Sequence, residues 1–94
     1  MIWLNKAKEF IGYIVSGDTD KAKEMVSQDI DVSIYEKFPP FIIQRTAYND
    51  KVIFIEGEVT YTIGSYDKPK QFSEKTIFVI EFDSFGKICY CMVY

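Results

Sequence analysis

The chain has 94 residues, of which 48% are hydrophobic and 17% aromatic, and its formal net charge is −3. This length suits one domain with a single core (residues 1–94), and so many rings need a dense core, a pocket or an interface. Because basic residues form no run, we expect no nucleic-acid partner and no membrane partner. The first ten residues contain Lys6, Lys8 and Glu9 where a secretory signal needs an unbroken apolar segment. We therefore expect a cytoplasmic protein.

Two helices are predicted at the start of the chain. Apolar residues recur at spacings of three and four between residues 2 and 16, as on one face of a helix. Gly17 is suited to end this helix, and Asp18 or Thr19 is suited to cap a second helix through about Gln28. The apolar positions of the first helix are Trp3, Ala7, Phe10, Ile11, Ile14 and Val15.

Strands are predicted for the rest of the chain. Ile30, Val32 and Ile34 alternate with polar residues and predict a short strand before Pro39-Pro40. Longer alternating runs follow at 41–49, 51–63, 71–83 and 87–94. The connections at 49–50, 64–70 and 83–86 are short, so the four runs should form an antiparallel meander. Gly57, inside the second run, predicts a bend or a bulge.

The run at 71–83 has apolar residues on both faces. Phe72, Phe78, Ile80 and Phe82 share one face, and Ile77 and Val79 lie on the other. Since the helices can cover only one face, Ile77 and Val79 predict a homodimer interface. The alternative is an ordinary central strand with scattered surface aliphatic residues.

Cys89 and Cys91 are the only cysteines. Two residues apart on one strand, they should share a face and are poorly placed to bond to each other, so we expect two reduced thiols. A C-x-C half-site for a metal is the alternative, and only carboxylates could complete it because the chain has no histidine. We expect no metal and no cofactor.

The order of these pieces resembles the nuclear transport factor 2-like (NTF2-like) superfamily, which includes ketosteroid isomerase and the SnoaL-like cyclases. The matching segments are FIGYIVSGDTD at 10–20, AKEMVSQDIDV at 22–32, EGEV around Gly57 and FVIEFDSFGKI at 78–88. The resemblance implies a cone-shaped α+β fold. Members of this fold include enzymes, binding modules and dimerisation domains, so the fold alone does not define an activity.

The chain departs from this superfamily after the short strand. A third helix and more strand usually follow there, whereas this chain has only about ten residues containing Pro39-Pro40. The cone implied by the resemblance therefore lacks a wall, which aromatic side chains, a partner or a ligand would have to cover. A cystatin-like sheet wrapped on one helix is the nearest alternative description.

Ketosteroid isomerase, the member of this superfamily whose site is easiest to place on this chain, uses a tyrosine, a carboxylate base and a protonated carboxylic acid. Alignment on SGD and FGKI places these three groups at Phe10, Ile34 and Phe78 of this chain. None of the three can donate or accept a proton. The absence of histidine also excludes Ser-His-Asp and Cys-His sites. We therefore predict no catalytic residue at the positions that the resemblance indicates.

The remaining polar candidates each have an ordinary structural interpretation. The pairs Asp29/Asp31 and Glu56/Glu58 could supply a carboxylate, but solvated acids are the more common outcome at such positions. The hydroxyls of Tyr13 and Tyr61 could orient a ligand, although a buried tyrosine more commonly bonds a backbone carbonyl. Arg45 could receive an anion, and a surface role is its structural alternative.

Together these observations predict an α+β fold with two N-terminal helices packed on a curved antiparallel sheet of four or more strands. The favoured function is a non-catalytic homodimeric binding or interaction module with a cavity for a small apolar ligand. The alternatives are a SnoaL-like or isomerase-type enzyme with an Asp or Glu and a Tyr, and an interaction module with a filled core. The predicted cavity lining is Phe10, Ile14, Ile34, Tyr61, Phe78 and Ile80.

Overall fold

A computed structural model describes residues 2–64 and 67–94 of the chain. The fold is α+β, as predicted, with a long helix and a four-stranded antiparallel sheet. Ser65 and Tyr66, in the predicted connection at 64–70, lie outside the described residues. The elements are α1 (Ile2–Ser16), α2 (Thr19–Glu24), a 3-10 helix η1 (Val32–Tyr35), β1 (Phe41–Asn49), β2 (Val52–Ile63), β3 (Lys70–Phe82) and β4 (Ile88–Val93).

The first helix has the predicted bounds, and the second is shorter than predicted. Gly17 ends α1 with a φ of +80°, a conformation that favours glycine. The Asp18 side chain accepts a hydrogen bond from the Lys21 backbone N–H and caps α2. The α2 helix ends at Glu24 and not near Gln28, because the next residues run beside β4, where the Ile88 N–H donates to the Met25 carbonyl at 2.8 Å.

The short strand predicted at Ile30–Ile34 is wrong, because this segment contains the 3-10 helix η1. The Asp31 carboxylate accepts hydrogen bonds from the Ser33 backbone N–H at 3.0 Å and from the Ser33 hydroxyl at 2.6 Å. These bonds fold the backbone into a tight turn in place of an extended strand. A 3-10 helix aligns residues three apart, so Val32 and Tyr35 are buried and Ile34 is 71% exposed.

The four strands form the predicted meander in the order β1-β2-β3-β4, with every neighbouring pair antiparallel. The short turn after β3 is closed by Gly86, with a φ of +81° and an N–H that donates to the Asp83 carbonyl. The irregularity predicted at Gly57 lies in the strand beside it. There β1 shifts register between Ile43 and Arg45, and Ile43 pairs with Gly57.

The sheet has one face covered by helices and one face without helices, here called the open face. On the covered face, Ile53, Ile55, Phe78 and Ile80 are fully buried and share one core with Phe10 of α1. Alternate residues of β2 and β3 point the other way, as the strand period requires. Phe54 and Ile77 on these alternate positions are both 39% exposed.

The hairpin of β2 and β3 extends beyond the other strands. The last β1 pairing along β2 is Phe41 with Val59, whereas β2 and β3 stay paired to Ile63 and Lys70. We call residues 60–63 and 70–73 the arm.

The two cysteines do not share a face, contrary to the prediction. The register of β3 and β4 shifts between the pairs Glu81–Tyr90 and Phe82–Ile88, so Cys89 is the extra residue of a bulge. Cys89 is therefore exposed, while Cys91 is buried, and both are free thiols.

Candidate functional site

The predicted cavity residues lie in three different environments. Phe10, Phe78 and Ile80 have no accessible surface, and Ile14 is 3% exposed. Their side chains belong to one hydrophobic core beneath α1. Ile34 is not part of it, since η1 turns its side chain to solvent.

Tyr61 lies on the arm, outside the core. Its hydroxyl donates a 2.7 Å hydrogen bond to the Glu74 carboxylate, and its ring stacks on Phe72 at 5.7 Å. The bond to Glu74 raises the pKa of Tyr61. The structure therefore does not bring all six predicted residues together around one space.

A continuous apolar row crosses the open face of the sheet. Ala47 pairs with Phe54, Phe54 with Val79, and Val79 with Met92, so one residue of each strand lies in this row. Directly paired residues point to the same side of a sheet, and their side chains therefore touch or nearly touch. We call these four residues the central row. No helix covers it.

Two tyrosines, Tyr90 in β4 and Tyr94 directly after it, border the central row. Tyr90 pairs with Glu81 and lies on one side of Met92; Tyr94 lies on the other, with its backbone bonded to Ile77. The two hydroxyls are 3.2 Å apart, and the two residues are 40% and 65% exposed. Aromatic residues and methionine are enriched in protein interfaces relative to other surfaces. The edge of the open face therefore has the composition of a contact surface.

Three charged residues of the open face, Arg45, Glu56 and Lys75, are paired with one another. The Glu56 carboxylate accepts hydrogen bonds from Arg45 Nε at 2.8 Å and from Lys75 Nζ at 3.1 Å. The Glu56 side chain is only 18% exposed. Hydrogen bonds from Arg45 and then from Lys75 lower the pKa of Glu56 to about 2. Arg45, predicted as a possible anion receptor, is thus engaged within its own sheet.

A shallow depression lies between this charge cluster and the central row. Its volume is about 340 Å³. Arg45 and Glu56 form its polar end, and Ala47, Phe54 and Ile77 form its apolar side together with Thr46. The depression exists because Ala47 is small and its neighbours on β2 and β3 are large.

Two of the other polar candidates, Asp31 and Tyr13, have structural partners. Asp31 caps η1, and its bonds to Ser33 lower its pKa. The Tyr13 hydroxyl donates to Glu9 on the same helix at 2.7 Å. Asp29 is exposed, and Glu58 is half-buried on the open face. Within residues 2–64 and 67–94, no Asp or Glu side chain is buried.

The sequence analysis missed Tyr35, a buried residue whose hydroxyl is hydrogen-bonded to Cys91 of β4. Its hydroxyl donates to the Cys91 carbonyl at 3.2 Å and approaches Cys91 Sγ at 3.3 Å. Burial, followed by the bond to Cys91, raises its pKa strongly. Its spacing of three from Val32 is the signal that identifies it, once the segment is recognised as a 3-10 helix.

Over the part of the chain that the structure describes, no three His, Cys, Asp or Glu residues are grouped as metal ligands, and no helix is long and apolar enough to span a membrane. The chain matches none of the protein-family models, curated proteins or solved structures with which it was compared.

Proposed function

We propose that this protein is a non-catalytic interaction domain of NTF2-like (cystatin-like) architecture that forms a homodimer through the open face of its sheet. The observation that supports this proposal is the central row, Ala47, Phe54, Val79 and Met92, which joins all four strands without a helix over it. Ile77 and Val79, expected at an interface from the sequence, lie on this face.

The size of the open face suits a small interface. Four strands and four rows of paired residues cover about 19 Å by 27 Å, or about 500 Å² on each copy. Two copies together contribute about 1,000 Å², near the lower limit for a specific interface. We therefore expect a weak dimer, with a Kd in the micromolar range, that dissociates on dilution.

The charges of the open face favour a second copy over a strongly charged partner. The face has two cations, Arg45 and Lys75, and three acids, Glu56, Glu58 and Glu81. Their charges nearly cancel, so two identical faces repel each other little. Because Glu56 is already bonded to both cations, its carboxylate keeps its hydrogen-bond donors when a second copy covers the face.

Sedimentation and light scattering at protein concentrations up to about 500 μM test the proposal. The wild-type protein should pass from monomer to dimer within this range. Val79→Asp buries a charge at the centre of the row and should abolish association. Ile34→Asp is the matched control, because Ile34 is an exposed isoleucine away from the open face, and it should leave association unchanged.

A wild-type protein that stays monomeric at the highest concentration would overturn the proposal. Equal association of Val79→Asp and the wild-type protein would overturn it too. If Val79→Asp does not fold, Met92→Asp replaces it, because Met92 is 45% exposed near the edge of the sheet. Circular dichroism of each variant separates a folding defect from an association defect.

A further inference from the structure

The pairing register limits how two open faces can pack in a symmetric dimer. Packed sheets lie about 10 Å apart, with their strands within about 30° of each other. A two-fold axis between the sheets can run along the strands or across them. An axis along the strands, between β2 and β3, places β1 over β4 of the second copy and β2 over β3. An axis across the strands, along the central row, places each strand over the same strand of the second copy.

The central row is complementary in size only for the first arrangement. Along the row, the residues are small, large, small and large: Ala47, Phe54, Val79 and Met92. Reversing this order in the second copy places Met92 over Ala47 and Val79 over Phe54, so a large side chain faces a small one. The second arrangement places Phe54 on Phe54 and Ala47 on Ala47, which crowds one position and leaves a gap at another. Close packing at an interface core favours the first arrangement.

The row next to the central row points to the same arrangement. It contains Arg45, Glu56 and Ile77, followed by Tyr94. Under the first arrangement, Tyr94 of the second copy lies over Arg45, and an aromatic ring packs well against a guanidinium group. Tyr94 and Met92 of the second copy then both lie above the 340 Å³ depression, whose lining includes Arg45 and Ala47.

We infer that each copy inserts Met92 of its β4, and Tyr94 directly after β4, into the depression beside β1 of the other copy. This inference rests on the proposed function, because it requires association through the open face. It adds a specific partner for the depression: β4 of a second copy of this chain. Each dimer then contains two such contacts, related by the two-fold axis.

A size swap tests the contact between residues 47 and 92. Ala47→Met should crowd Met92 of the second copy, and Met92→Ala should leave a gap, so each variant should weaken the dimer about tenfold. The double variant exchanges the two sizes and should return the Kd to within about threefold of the wild-type value. If the two changes simply add, the inference is wrong. The double variant also has the same total composition at these positions as the wild-type protein.

Cross-linking gives an independent test in a background in which Cys89→Ser and Cys91→Ala remove the natural thiols. Ala47→Cys and Met92→Cys are made in separate chains, and a short bis-maleimide that spans about 10 Å is added. Across one sheet, residues 47 and 92 are three strands, or about 14 Å, apart. We therefore expect covalent dimers when the two variants are mixed and few when either variant is alone.

The outcomes separate the inference from the proposed function. Cross-linking of either variant alone, with no additional cross-link between positions 47 and 92 in the mixture, overturns the β1-over-β4 arrangement and leaves a dimer through the open face. An absence of cross-linking in every sample that light scattering shows to be dimeric also overturns the inference. Monomers in all samples, including the wild-type protein, overturn the proposed function itself.

Discussion

The ring of Phe41 lies directly over Gly57, with no space for a side chain between them. A Cβ atom built on Gly57 would lie 2.6 Å from Cζ of the Phe41 ring and would also clash with the backbone carbonyl of Ile42. The ring of Phe41 packs edge-on against Phe78, with their centroids 5.2 Å apart. Gly57 therefore lets the first strand bring an aromatic ring into the core at the place where its own register shifts.

Gly57→Ala should destabilise the protein by about 1–3 kcal/mol, because the added methyl group must displace a ring and a backbone carbonyl. Gly12→Ala is the control, and a change in stability of the opposite sign is expected for it. Gly12 lies within α1, and a Cβ there meets nothing within 4 Å, so this change should stabilise the protein by about 0.5–1 kcal/mol. Urea unfolding, followed by the fluorescence of Trp3, measures both. Equal effects of the two substitutions would contradict the packing of Phe41 on Gly57.

Phe78→Ala should cost about 3–5 kcal/mol, the usual loss for a fully buried ring. The Phe78 ring has no accessible surface and contacts the rings of Tyr35, Phe38 and Phe41. Phe85→Ala is the matched control, because Phe85 is 89% exposed and should contribute less than about 0.5 kcal/mol. A small loss for Phe78→Ala would mean that Phe78 borders a solvent-filled space.

Tyr35→Phe should lower the free energy of unfolding by about 0.5–1.5 kcal/mol, because the Cys91 carbonyl loses its hydroxyl donor. The raised pKa of Tyr35 stabilises the folded state below the pKa of an unfolded tyrosine, about 10, and this contribution decreases as the pH rises above that value. The variant should therefore lose stability less steeply above about pH 10. Parallel pH profiles for the variant and the wild-type protein would contradict this prediction.

In the variant Glu56→Gln, the free energy of unfolding should decrease less steeply as the pH falls into the acid range. The pKa of Glu56 is about 2 in the folded protein, below the ordinary value of 4.5. The lowered pKa stabilises the folded state above pH 4.5, and this stabilisation decreases as the pH falls from 4.5 towards 2. Thermal unfolding of dilute protein between neutral and acid pH measures how steeply the Tm of each protein decreases with pH.

Arg45→Gln provides a second check on the same cluster. Removing the strongest donor should raise the pKa of Glu56 towards 4.5 while the carboxylate remains. The fall in stability should then end at a higher pH than in the wild-type protein. An unchanged profile would show that Arg45 does not hold the charge of Glu56.

The sequence predicted the parts of the fold that depend on periodicity. The spacing of Phe10 and Ile14 indicated the buried face of α1, and the alternation around Ile53 and Ile55 indicated the buried face of β2. Both patterns persist over many residues, so one local exception does not hide them. The segment from Ile30 to Ile34 is too short for a period of two to be distinguished from chance. Two hydrogen bonds from Ser33 to the Asp31 carboxylate determine its conformation.

The candidate surface was predicted only in part. Alternation in the third strand placed Ile77 and Val79 opposite the core face, but alternation does not give the register between strands. Ala47, Phe54 and Met92 complete the central row only because each strand pairs at one particular offset. Two of the three strand pairings contain a bulge, one in β1 and one at Cys89 in β4. The sequence pattern did not locate either bulge.

The arm should open more easily than the rest of the sheet. Beyond Thr60, whose N–H donates to the Pro40 carbonyl at 3.1 Å, its strands pair only with each other within the described residues, whereas Ile55 and Phe78 have neighbours on both sides and a helix above. A two-stranded ribbon without further support is marginally stable. Amide hydrogens of the arm should therefore exchange with solvent by local opening, and those near Phe78 only by global unfolding. One continuous hairpin would then show a gradient of protection along its length, lowest in the arm and highest where α1 crosses it.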